Sequence, residues 1–138
     1  MNNYTTIEQS KKLIELGLDP KTADMYYEQE IGRKTDMPYY AVKVGKSLAI
    51  EQNLFSFRNG YEIPCWSLGA LIDLMPLNIL DKENVLQPRQ IVGNDVYYDN
   101  ICYFNNIYGL FNNVVECILW LLKNEYIEKR TIGDESKE

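Results

Sequence analysis

Ile63-Pro64-Cys65-Trp66-Ser67-Leu68-Gly69-Ala70-Leu71-Ile72-Asp73-Leu74-Met75-Pro76 carries a start signal, an apolar stripe and a stop signal for one buried helix. Ser67 is a good N-cap, because its hydroxyl can accept a hydrogen bond from an otherwise orphaned amide of the first turn. Leu68, Leu71, Ile72 and Met75 fall at i, i+3, i+4 and i+7, which is one helical face. Pro76 cannot continue the helix and closes it.

Working towards the N-terminus, Pro38 to Ile50 contains Tyr39-Tyr40-Ala41-Val42-Lys43-Val44, which alternates from Ala41 onward as a strand does. Gly45-Lys46 and Asn59-Gly60 are turn dipeptides, so 29–62 reads as a hairpin or a long loop. Asp19-Pro20 is an N-cap with Pro at N1 and predicts a short helix over Lys21 to Tyr27. Before it, a first helix spans about Thr6 to Leu16. Thr5 or Thr6 caps that helix, and Thr5 with Glu8 has the capping-box spacing. Gly17-Leu18 ends it as a left-handed C-cap with its hydrophobic contact.

Towards the C-terminus, Pro88 to Ile91 leads through Gly93-Asn94-Asp95 into Val96 to Phe104, an antiparallel hairpin with a long second strand. The last helix, about Tyr108 to Tyr126, places Phe111, Val114, Val115, Ile118, Leu119 and Leu122 on one face. Asn112, Asn113, Glu116, Lys123 and Asn124 mark the other side. Trp120 interrupts that side. It is either covered by the same chain or part of an interface, where Trp is enriched.

The fold class is therefore α+β: three to four helices packed on a small antiparallel sheet, a single domain over 1–128 with a charged, disordered tail over 129–138. At 138 residues and 46% hydrophobic content, a domain of this kind needs no staples for its core. No apolar run is long enough for a transmembrane helix, and Met1 to Gln9 has no signal-peptide pattern. Cys65, Cys102 and Cys117 are odd in number and widely spaced, which argues against a disulfide framework. A cytoplasmic setting fits. The net charge of −6 includes only one locally basic stretch, 33–58, so direct nucleic-acid binding, which needs a concentrated cationic face, is not expected.

The chain contains no histidine, which removes Ser-His and Cys-His nucleophile pairs and imidazole metal ligands. Val44-Gly45-Lys46-Ser47 ends like a phosphate loop, but Tyr40 stands where the first glycine belongs. Trp66-Ser67-Leu68-Gly69 resembles part of a nucleophile elbow, with Cys65 in place of a glycine. Asp95 and Asp99 would share one strand face and could suggest a hard-cation site, yet a turn beside a solvated strand edge explains them more simply. No metal, cofactor or catalytic residue is assigned. Cys65, just before a helix N-terminus, is the candidate reactive thiol; its competing reading is a small buried hydrophobe.

Eleven tyrosines remain. In adjacent pairs on a strand one ring packs inward and the other looks out, so an outward set such as Tyr98 with Tyr40 could line a groove or interface. Candidate interaction residues are Trp66, Trp120, Tyr40, Tyr97 and Tyr98.

The element order and three stretches resemble short phage- and prophage-encoded proteins of gut Bacteroides-type bacteria, a group of unknown function. The stretches are Thr5 to Leu13 with Gly17 to Met25, Ile63 to Pro76, and Glu116 to Leu122 with Tyr126-Ile127. They cover under half of the chain and contain no catalytic motif. The resemblance implies a bacterial or phage origin and a cytoplasmic setting. The expected function is a non-enzymatic accessory protein that binds a protein partner or itself through an aromatic surface. Two alternatives stand beside it: an acidic nucleic-acid mimic that inhibits a host defence protein, and a small-ligand binder or enzyme with a pocket near Cys65 and the tyrosines.

Overall fold

The computed structural model describes residues 3–31, 38–46 and 62–129. The Asn59-Gly60 turn and the tail beyond Lys129 lie outside the described residues. Three α-helices are present among them: α1 (Ile7–Glu15), α2 (Leu68–Leu74) and α3 (Leu110–Lys123). Strands β1 (Met25–Ile31), β2 (Pro38–Val44) and β3 (Glu62–Cys65) form one antiparallel sheet in the order β2-β1-β3. Strands β4 (Asn78–Leu80), β5 (Leu86–Val92), β6 (Asp95–Tyr98) and β7 (Cys102–Phe104) form a second, in the order β4-β5-β6-β7. The class is α+β, with two small sheets where the sequence suggested one.

Thr6 caps α1 in a reciprocal box with Gln9: its hydroxyl accepts from Gln9 N at 3.1 Å, and Gln9 Oε1 accepts from Thr6 N at 2.9 Å. The Thr5/Glu8 box is thus displaced by one residue. Thr5 is fully buried instead, its hydroxyl paired with Ser10 Oγ at 2.7 Å and accepting from Trp66 N at 3.0 Å. At the other end Gly17 N donates to Ile14 O and Leu18 N to Leu13 O, the paired bonds of a Schellman motif. Gly17 sits at φ +104°, and a Cβ there would lie 2.9 Å from the Lys129 side chain. Both facts demand glycine.

The helix expected over Lys21 to Tyr27 is replaced by a single 3-10 turn, Pro20–Thr22, followed by β1. Asp19 does cap that turn, accepting from Lys21 N at 2.9 Å, but Ala23 is already extended at φ −73°, ψ 140°. The central position of β1 explains the difference. Both of its edges are hydrogen-bonded, to β2 and to β3, and Tyr27 is buried with Ile63 and Cys65. Aromatic residues suit such a pleated, half-buried surface. The strand expected at Ala41 is present as β2, and Gly45 at φ +99° ends it.

In the second sheet, Gly93-Asn94 closes a two-residue hairpin between β5 and β6, with Gly93 at φ +61°. The long strand expected from Val96 to Phe104 is broken at Asp99-Asn100, where Asn100 adopts φ +62°, a conformation asparagine tolerates. Tyr98 and Cys102 therefore become cross-strand partners, as do Tyr97 and Tyr103.

The main core surrounds α3, which packs on α2, α1, β6 and β7. The expected stripe of α3 is buried, and Cys117, Leu121 and Asn113 are buried as well. Asn113 was expected on the polar side. It is instead fully enclosed: its amide nitrogen donates to Asn94 O at 2.6 Å, and its Oδ1 accepts from Asn106 N at 2.7 Å. The second sheet is tied to the C-terminus of α2 by Arg89, which donates to Ile72 O at 2.9 Å, and by Tyr98, whose hydroxyl donates to Pro76 O at 2.6 Å. A cation belongs there, against the negative end of the helix dipole. No helix among the described residues is long and apolar enough to cross a membrane.

Candidate functional site

Side chains alternate across a strand, so the register sorts the second sheet into two faces. Ile79, Ile91, Val96, Tyr98, Cys102 and Phe104 point to the helices. The opposite face carries Leu80 paired with Leu86, then Gln90, Tyr97 and Tyr103 in one row, and Val92 paired with Asp95. Leu80, Leu86, Val92 and Tyr103 are 49%, 61%, 58% and 56% exposed. Tyr97 and Tyr103 stack at 4.8 Å with an interplanar angle of 21°, and Tyr103 donates its hydroxyl proton to Asp95 Oδ2 at 2.5 Å. That bond holds the Tyr103 hydroxyl above its ordinary pKa. The two rings and the carboxylate form a pre-assembled aromatic end to an otherwise aliphatic face.

The candidate residues divide as follows. Tyr97 lies on this open face. Tyr40 is partly exposed on β2, in the other sheet. Trp66 and Tyr98 have no exposed surface, so neither presents itself to a partner. Trp66 is held by Thr22 Oγ1, which accepts its indole N–H at 2.9 Å. The outward ring of the 97–98 pair is Tyr97, the reverse of the phase in which Tyr98 looked out, because Tyr98 fills the core beneath α3. Trp120 is half-buried against the main core and stacked on Tyr126 at 5.6 Å and 13°.

Cys65 is fully buried. Its thiol donates to Thr5 O at 3.4 Å, beside the Tyr27 hydroxyl that donates to the same oxygen at 2.6 Å. Burial pushes the thiol up to about 11 and outweighs the hydrogen bonds from Thr5 and Tyr27 that lower it. A thiol in that state is not a nucleophile at neutral pH, so the reactive-thiol candidate becomes a core residue. Ser67 is equally committed. Its hydroxyl accepts from Ala70 N at 3.2 Å as the N-cap of α2 and donates to Asp24 Oδ2 at 2.5 Å, while Asp24 Oδ1 accepts from Ser67 N at 2.9 Å. Asp99 falls in the turn after β6, not on the strand with Asp95, which dissolves the shared-face cation reading.

A cavity whose lining does not include Cys65 lies at the N-terminus of α3. It holds about 430 Å³, lined by Asn3, Leu68, Asn94, Tyr108 and the first turn of α3 through Asn112. Gly109 is the N-cap, with no side-chain cap hydrogen bond.

Sequence reasoning missed Tyr103, Leu80 and Leu86. The available signal for Tyr103 was Asp99-Asn100, a turn-forming pair whose recognition would have folded residue 103 back beside Tyr97. No protein-family model, curated protein or solved structure matches the chain.

Proposed function

We propose that this is a non-enzymatic accessory protein that holds a protein partner against the open face of its second sheet. The observation that carries this reading is the shared face running from Leu80 and Leu86 through the half-buried Gln90 and Tyr97 to Tyr103, with Leu80, Leu86 and Tyr103 exposed. The strands have three, seven, four and three residues, which give a footprint of about 270 Å² at standard strand spacings. That is near the lower end of the patches on monomers that are often functional. A stable interface needs about 800 Å² on each side, and a second copy would bring its own charge of −6 against this one. Both facts favour a different protein: a short apolar or aromatic segment flanked by Lys or Arg, which would complement Asp81, Asp95 and Asp99 at the rim. The phage or prophage setting implied by the resemblance belongs to the same proposal.

A photo-crosslinking side chain placed at 103, 86 or, as a control, the exposed Lys11 of α1 tests it in extracts of the producing cell. One basic protein captured from 103 and 86 but not from 11 is the expected outcome. Equal capture from all three positions, or capture of this chain alone, would refute it.

The cavity at the start of α3 favours a second reading, a small-ligand binder, since its volume lies in the range of ligand pockets. A fragment library screened by NMR decides: ligands must shift the Leu110 to Asn112 amides, and a library that moves none of them removes this reading.

A further inference from the structure

Cys102 and Cys117 lie far apart in sequence but meet in the fold. Cys102 faces inward from β7, as the cross-strand partner of Tyr98, and Cys117 is fully buried on the inner side of α3. Helix α3 packs directly on β7, Cys102 sits against the core cluster that contains Cys117, and the two thiols are close enough to perturb each other. Neither is in a disulfide. Cys102 is half-buried, whereas Cys117 has no exposed surface. The third cysteine, Cys65, lies in the other core cluster.

We infer that Cys102 and Cys117 are a reversible oxidation site, which closes to an intrachain disulfide when the protein meets a hydroperoxide. The chemistry assigns the two sulfurs different roles. The neighbouring Cys117 lowers the Cys102 thiol below its ordinary value, while Cys102 and burial raise Cys117. Cys102 is the less buried of the two and is the attacking thiolate, and the enclosed Cys117 is the resolving thiol. The Cys102 sulfur attacks one peroxide oxygen and the O–O bond breaks. The departing hydroxide takes up the proton that Cys102 released, leaving water and a sulfenic acid. The Cys117 sulfur then attacks the sulfenic sulfur, the S–O bond breaks, and the Cys117 proton leaves with the hydroxyl as a second water. Two thiols lose two electrons and two protons to one peroxide. The product pins the edge strand β7 to the central helix. Tyr103, on the opposite face of β7, keeps its exposure, so this inference stands independently of the docking proposal.

The full-length reduced protein is exposed to a few equivalents of hydrogen peroxide, then weighed intact before and after alkylation. Before alkylation a mass about 2 Da lower, from two lost hydrogens, is expected, and after alkylation in denaturant one adduct instead of three on the three thiols. Peptide mapping should join 102 to 117 and find Cys65 free, and dithiothreitol should restore all three thiols. The C117S variant should stop at a Cys102 sulfenic acid trapped by dimedone, and C65S should still close the bond. Because the wild-type mass needs no variant to fold, the inference stays exposed to failure. An unchanged mass, oxygen addition at Cys102 without closure in the wild type, a link involving Cys65 or a covalent dimer would each overturn it.

Discussion

Asn113 shows how one polar side chain can govern a junction. It sits on α3 with no exposure and bonds both the β5–β6 turn, at Asn94, and the loop after β7, at Asn106. Asn113→Ala should lower stability by about 2–3 kcal/mol through lost hydrogen bonds and a small cavity, seen as a reduced urea midpoint at unchanged slope. Glu125 predicts the opposite sign. It occupies φ +63° at the end of α3, in a Schellman motif closed by Glu125 N to Leu122 O and Tyr126 N to Leu121 O. Only glycine takes that conformation without steric cost. Glu125→Gly should therefore stabilise the protein by about 1 kcal/mol, and a fall in thermal midpoint would contradict this.

At the scale of elements, local signals and neighbours competed, and the outcome depended on how many partners an element had. Helix α1 was legible because its cap and its stop are made within the segment. The 3-10 turn and β1 were not, because β1 owes its form to strands on both sides. The β4–β5 hairpin is a case of local closure: Asp81 Oδ1 accepts from Glu83 N and Val85 N, and Oδ2 accepts from Gln87 Nε2. These bonds, led by Gln87, hold the Asp81 carboxyl below its ordinary 3.8. A depressed folded value means the contribution is present above pH 3.8 and is lost as the pH falls below it. Amide exchange at Glu83 and Val85, corrected for intrinsic rates, should quicken on acidification into that range. Asp81→Asn should remove this pH dependence; if it persists, another group controls the loop.

For the molecule as a whole, the open sheet face is the feature with a use to explain. Leu86→Lys should change folding stability by no more than about 0.5 kcal/mol, as exposed positions do, and Tyr103→Lys should cost about 1 kcal/mol through the lost ring stack and hydrogen bond. The same pair should abolish partner capture from a crosslinker at Tyr97, which remains on the face. A large loss of stability would mean that the face is part of the fold's own packing. Raising salt should weaken capture, since the complementarity assigned to the acidic rim is screened.

The chain by itself determined what neighbours in sequence can decide: a threonine cap at residue 5 or 6, the cap at Ser67, the Gly17 stop, the apolar stripe of α3, the hairpin at Gly93, and the missing histidine chemistry. Each depends on hydrogen bonds or periodicity within a few residues, so the information is local. Only the tertiary structure decided which of Tyr97 and Tyr98 faces out, that Asn113 and Trp66 are enclosed, that Lys21 to Tyr27 is not a helix, and that two of three thiols touch. Those outcomes turn on which surface lies opposite a given residue. A one-residue change of strand phase, or a turn such as Asp99-Asn100, reassigns every side chain beyond it.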